Sequence, residues 1–302
     1  MKNLFCLIFS LLSITVIGQN MADYRRHFDY DRSRDLNFRI YNTLDTLDAR
    51  ILNIQYDSGN GAQVTAYLVI PQQKIRQYPA LIFLHGAGYN KNQFLSEALD
   101  LASESFASLL IDDPTARPLS QRMSYNNYAN PVKESMIYNQ IIVDIRRGID
   151  LLEQNDKIDR DRIAFIGTDM GACTGAIVSG IENRILTYVL IGCNPCLSCE
   201  LVNSNDPSIV KIRSSYTSEQ LSSYQTTIKN YDVLNYIGSH RNSTIFYQFS
   251  SIDPYLTQDK INNLIQNTTE PKAQKNYPIL MPEIVNNIKA MKDRKIWLKA
   301  HL

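Results

Sequence analysis

The chain has 302 residues, with 31 Lys and Arg against 30 Asp and Glu, a formal net charge of +1. That balance gives no electrostatic case for nucleic acid or a strongly charged surface as partner. Hydrophobic residues at 44% and charged residues at 20% describe an ordinary globule, long enough to bury a sizeable core, and no basic cluster, low-complexity tract or internal repeat points to an array that binds polymers.

The chain opens like a targeting sequence. Met1-Lys2-Asn3 is a short positive start, and the apolar run LFCLIFSLLSITVI is too short for a comfortable membrane span. Val16 and Gly18 put small or branched groups where a signal peptidase cuts. Residues 1–18 are therefore expected to be a signal peptide, and 19–302 a single exported domain with no membrane contact after cleavage. A retained amphipathic anchor is the alternative. Cys6 lies inside the apolar core rather than at its end, which argues against a lipid-anchored cysteine.

Strands and helices then alternate. VTAYLVIP (Val64 to Pro71) reads as a strand stopped by proline. ALIFLHG (Ala80 to Gly86) is an apolar run of the kind buried on both faces of a sheet. Phe94, Leu95, Ala98, Leu99 and Ala102 mark one helix face, and FASLLID is the next buried strand. Ile141, Ile142, Ile145, Ile149 and Leu152 mark another helix. IAFIGTDMGACTGAI (Ile163 to Ile177) reads as strand, glycine-flanked turn and helix, and LTYVLIG and TIFYQFSSID read as two further strands. The last helix is expected through IVNNIKAMKDRKIWLKAHL. This alternation predicts an α/β fold with a mostly parallel sheet, helices on both faces, and a site at the carboxyl ends of the strands.

Four cysteines follow the leader: Cys173, Cys193, Cys196 and Cys199. The spacing of CNPCLSC suggests a metal or iron–sulfur ligand set, but a fourth nearby ligand is missing. One local disulfide, with Cys173 a small buried hydrophobe, is the plainer reading in an oxidising compartment.

The phrases FDYDRS, AYLVIP, LIFLHGAG, LIDDPTARP, DRIAFIGTDMGACTGAI, FYQFSSIDPYLT and DRKIWL, in this order, span almost the whole mature chain. Together they resemble the α/β-hydrolase superfamily, close to its dienelactone-hydrolase and acetyl-xylan-esterase-like members. The resemblance implies an α/β-hydrolase fold, a small-molecule ligand or ester-like substrate, no cofactor and no metal. It also implies a nucleophile on the turn before a helix, an acid after a late strand, a histidine after the last strand, and an oxyanion hole. Asp169 stands at the nucleophile position and Asp253 at the acid position. The backbone N–H groups of Met170 and of the loop Gly86 to Gly88, with Gly86 first, would form the oxyanion hole. The stretch Asn276 to Asn287 should carry the histidine and holds none, and Pro282 or Glu283 stands in its place.

There are four histidines in all. His27 precedes the sheet, His240 comes before a strand and so at the wrong edge, and His301 lies roughly 25–30 Å along a helix beyond the expected place. His85 is at the correct edge, where a packed and hydrogen-bonded loop residue is the more ordinary role. A carboxylate can attack carbon, as in relatives resembling haloalkane dehalogenases, but the ester formed must be hydrolysed by water that a histidine activates. Those elbows also follow the aspartate with tryptophan, where Met170 stands here, and Trp297 is the one tryptophan. Two readings remain: a silent or reduced enzyme that uses the cleft for binding, or a hydrolase working through Asp169 with Asp253. A third reading starts from Asp113, with Asp112 beside it, at the same sheet edge: with Asp169 and Asp253 it would make three carboxylates around a hard cation, unless Asp112 or Asp113 caps the turn before Pro114.

Overall fold

The computed structural model describes residues 23–123, 128–240 and 242–302. The signal-peptide reading, with Cys6, falls outside the described residues. Among these, no helix is long and apolar enough to cross a membrane.

Among the described residues nine strands form one sheet in the order β1-β2-β3-β5-β4-β6-β7-β8-β9. They are β1 (Arg39–Asp45), β2 (Ala49–Asp57), β3 (Gln63–Pro71), β4 (Tyr78–Leu84), β5 (Ala107–Ile111), β6 (Ile158–Thr168), β7 (Thr187–Ile191), β8 (Thr244–Ser250) and β9 (Lys272–Tyr277). From β5 through β9 every neighbouring pair is parallel, while β1, β2, β3 and β5 meet antiparallel. The central strands β4, β5 and β7 are buried at every position, as their unbroken apolar runs require of strands covered on both faces.

Helices cover both faces. One core joins the inner sheet face to α2 (Pro131–Glu153) and α3 (Met170–Ile181), through residues such as Ile141, Ile145, Phe165 and Ile177. The other packs α1 (Leu95–Ser103) and α9 (Ile288–His301) on the opposite face, through Phe83, Phe94, Ile166 and Leu298. Each such side chain, fully buried, contributes about 1.5–3 kcal/mol. Between β7 and β8 come α4 (Glu200–Asn203), α5 (Pro207–Arg213) and α6 (Ser218–Ile228), the last packed on α2. Then follow α7 (Gln258–Asn267) and α8 (Met281–Ile284).

The periodicity reading found every central element and missed the margins. β9 is KAQKNY, with only Tyr277 buried, because an edge strand has little face to hide. The last helix is also shorter than expected. Asn287 accepts a hydrogen bond from the Ala290 N–H at 3.1 Å and starts α9 at Ile288, separating it from α8.

α9 is tied to the sheet by a buried ion pair. Arg294 donates to both carboxylate oxygens of Glu97 at 2.7 Å, and further to Gln248 and the Val285 carbonyl. Trp297 adds an indole N–H bond of 2.7 Å to Thr187. The DRKIWL phrase thus acts as a structural clamp.

Candidate active site

The stretch between β6 and α3 is a sharp turn on Asp169, whose backbone has φ 52 and ψ −117. That is a strained region which aspartate tolerates better than most residues with a side chain. The flanking glycines are required by space. A Cβ on Gly167 would sit 2.4 Å from the Gly171 carbonyl oxygen, and one on Gly171 would sit 2.4 Å from that of Leu84. The pattern G-x-D-x-G therefore builds the elbow and presents Asp169 at the carboxyl edge of the sheet, with its N–H bonded to Ile191.

The carboxylate turns toward the loop after β4. Its Oδ2 accepts the Ala87 N–H at 3.1 Å, and the Met170 N–H also favours the charged form. One N–H comes from the loop and one from the residue after the elbow. Those are the two places that should supply an oxyanion hole. Gly86 itself does not serve as the loop donor, because its N–H is bonded to Gln93 Oε1 at 2.9 Å. Its contribution is close approach: a Cβ there would lie 3.2 Å from that of Asp169. The donor shifts to Ala87.

Asp169 lines two adjoining lobes of about 260 and 200 Å³. The first also holds Ala87, Met170 and Cys173; the second holds Gly192, Asp253 and Met281. Asp253 lines the second lobe, its Oδ1 accepting the N–H groups of Tyr255 and Leu256 at 2.8 and 3.0 Å. Two further carboxylates, Glu200 and Asp206, came from the segment that carried no periodic signal. Glu200 accepts from Asn194 Nδ2 and lies 3.6 Å from Lys260 Nζ. Burial pushes the Asp169 carboxyl above the usual carboxylate range. Repulsion from Glu200 and Asp253 adds to this, and the Ala87 and Met170 N–H groups offset it only in part.

Asp112 and Asp113 do not join this group. Asp112 is held by Lys91 Nζ at 2.6 Å and Thr65 Oγ1 at 2.7 Å. Asp113 Oδ1 accepts from the Thr115 N–H and hydroxyl and from the Ala116 N–H, capping the turn around Pro114. The three-carboxylate cation site read from the sequence is therefore corrected: these two side chains are consumed beside β5. Among the described residues no group of three or more His, Cys, Asp or Glu is arranged to hold a metal ion.

All four histidines are described, and none lines the cleft. His85 is buried with both ring nitrogens occupied: Nε2 accepts the Asp113 N–H at 3.0 Å, and Nδ1 donates to the Gly86 carbonyl at 2.8 Å. Those partners fix the tautomer and leave no nitrogen for a nucleophile. His240 spans the carbonyls of Ser243 and Thr269, His27 meets the Tyr231 hydroxyl at 2.7 Å, and His301 stacks on Trp297. Pro282 and Glu283 are both exposed and line neither lobe. From that loop it is Met281 that reaches the cleft, its Sδ 3.7 Å from Thr168 Oγ1. Cys196 and Cys199 form one local disulfide, and Cys173 and Cys193 are buried free thiols.

The sequence profile of the acetyl xylan esterase family matches residues 29–199, more than half of the chain. The chain belongs to the acetyl xylan esterase family. No curated protein matches the sequence significantly. Solved structures of the same fold include acetyl xylan esterase 1 from Thermoanaerobacterium, 16% identical with a TM-score of 0.75, covering 92% of this chain and 92% of that one. The acetyl xylan esterase from Paenibacillus is 17% identical with a TM-score of 0.71, covering 93% of each chain. An S-formylglutathione hydrolase from Agrobacterium tumefaciens is 13% identical with a TM-score of 0.65, covering 87% and 99%. At these identities the likeness is one of fold, so the chemistry of this family member rests on its own cleft.

Proposed function

We propose that this acetyl xylan esterase family member is a silent or strongly reduced esterase that uses its cleft to bind a small ester-like or otherwise ester-sized molecule. The observation that carries the reading is the Asp169 carboxylate held by the Ala87 N–H. An anion already occupies the place where an esterase stabilises the developing oxyanion, so the largest electrostatic contribution to acyl transfer is lost. The attacking group is no better placed. A carboxylate attacking an ester would give an anhydride, and no histidine stands by to activate water. On the same reading the first 18 residues are removed and the protein is exported, as the apolar start of the sequence supports.

The test is hydrolysis of small acetyl esters by purified mature protein beside its Asp169→Asn variant. Equal rates are expected. A rate clearly above the variant's would instead favour catalysis through Asp169 with Asp253 as its acid.

A further inference from the structure

A pair of cysteines sits in the wall of the cleft, apart from the carboxylates. Cys173, at the end of the first turn of α3, lines the first lobe beside Asp169, Met170 and Asn194. Cys193 lies behind it, on the loop that leaves β7, and is fully buried. Further along that loop Cys196 and Cys199 are joined in their disulfide, whereas Cys173 and Cys193 are free thiols.

The backbone holds these two thiols together. The Asp169 N–H donates to the Ile191 carbonyl at 2.9 Å, and the Asp169 carbonyl accepts the Cys173 N–H at 3.0 Å, so the start of α3 is fastened to the end of β7. Gly192, at φ 67, turns the chain after the strand, and its N–H is anchored on the Gln248 carbonyl at 2.9 Å. Cys173 Sγ thereby meets the residue next to Cys193 twice. It accepts the Asn194 N–H at 3.3 Å and donates to the Asn194 carbonyl at 3.6 Å. Burial pushes the Cys193 thiol up, and a hydrogen bond with the Cys173 side chain adds to this. Sulfurs in hydrogen-bond contact on backbone tied this closely are within reach of a disulfide, which needs Cβ atoms about 3.5–4.5 Å apart.

The two differ in access. Cys173 is the sulfur that a molecule in the lobe of about 260 Å³ meets, and at 2% exposure it admits only a small reagent. Cys193 has no exposed surface, and a thiol held protonated is a poor first nucleophile.

We propose that Cys173 and Cys193 are a peroxide-sensitive dithiol in the cleft wall. The Cys173 sulfur attacks hydrogen peroxide in the lobe. The O–O bond breaks, an S–O bond forms and water leaves, so the thiol is oxidised to a sulfenic acid as the peroxide is reduced. The Cys193 sulfur then displaces the hydroxyl, which leaves with the Cys193 proton as a second water, and the S–S bond forms. Two thiols and one peroxide give one disulfide and two waters. This chemistry is separate from ester turnover at Asp169.

The test exposes folded mature protein to excess hydrogen peroxide, removes the remainder with catalase, then unfolds and alkylates the chain. Untreated protein should carry alkylatable thiols at Cys173 and Cys193 and treated protein none. Tandem mass spectrometry should find Cys173 joined to Cys193, with Cys196 still joined to Cys199. Cys193→Ser should stop at the Cys173 sulfenic acid, captured by dimedone. Cys173→Ser should keep Cys193 alkylatable after the same treatment. Both thiols surviving in treated wild type, a bond from Cys173 to Cys196 or Cys199, no dimedone adduct in Cys193→Ser, or wild-type loss of the Cys193 thiol in Cys173→Ser overturns the proposal. The wild-type bond map alone decides it if either variant fails to fold.

Discussion

The backbone N–H of Ala87 and Oδ2 of Asp169 are 3.1 Å apart, joining the loop after β4 to the turn after β6. The elbow side chain therefore points back into its own anion site instead of out toward a substrate. A serine hydroxyl at this position is shorter and uncharged, and it would leave the Ala87 and Met170 N–H groups open. Asp169→Ser should consequently restore an oxyanion hole and nothing else, since a serine without a base is a weak nucleophile.

Adding the base distinguishes the loop positions. Met281 lines the cleft beside Asp253, whereas Pro282 and Glu283 are exposed. Asp169→Ser with Met281→His is expected to hydrolyse 4-nitrophenyl acetate at least about tenfold faster than Asp169→Ser alone, a modest fraction of what a well-placed general base supplies. Asp169→Ser with Glu283→His should match the single variant. If the Glu283 pair is the faster one, Met281 is not the position that faces the acid.

Asp169 also predicts a pH signature. Its carboxyl is raised by burial and by Glu200 and Asp253, so the folded state holds the proton more tightly than the unfolded chain does. Stability is then unaffected by this group below the ordinary carboxylate pKa of about 4, and falls as pH rises from there through the raised folded value. Asp169→Asn removes the charge. Its melting temperature is expected to exceed the wild type's by about 2–4 °C near neutral pH, equivalent to about 1 kcal/mol, with the difference closing toward pH 4. Calorimetry across pH 4–8 decides this. A lower melting temperature for the variant at pH 7 would mean that the hydrogen bond from Ala87 outweighs the charge.

Gly171 should tolerate no side chain. A Cβ there meets the carbonyl oxygens of Leu84 and His85 at 2.4 and 2.8 Å, and backbone cannot swing aside as a flexible side chain can. Gly171→Ala is expected to cost about 3 kcal/mol, the upper end for forced overpacking. Urea unfolding measures it, and an unchanged midpoint would show that β4 and α3 can separate freely.

The ion pair between Glu97 and Arg294 is buried on both sides, at 4% and 0% exposure. Glu97→Ala leaves a guanidinium without its counter-charge, with only Gln248 and main-chain carbonyls to accept from it. A loss of about 3–5 kcal/mol is expected by chemical denaturation. A loss below about 1 kcal/mol would mean that water reaches Arg294 once the carboxylate is gone.

The sequence by itself determined the fold class, because apolar runs in β4, β5, β6 and β7 are a direct imprint of strands buried on both faces. It determined the elbow, since glycines at 167 and 171 around Asp169 answer a local steric demand. It also determined that the loop after the last strand holds no histidine. Tertiary structure alone decided where the carboxylates go. Nothing local distinguishes Asp112, bound by Lys91 and Thr65, from Glu200, which faces Asp169 in the cleft. The donor to Asp169 is 82 positions away, and whether Gly86 or Ala87 plays that part depends on Gln93 capturing the first N–H. Periodicity records which face of an element is buried, whereas hydrogen bonds between distant loops depend on how the elements come together, and that geometry leaves no local pattern in the residues that make them.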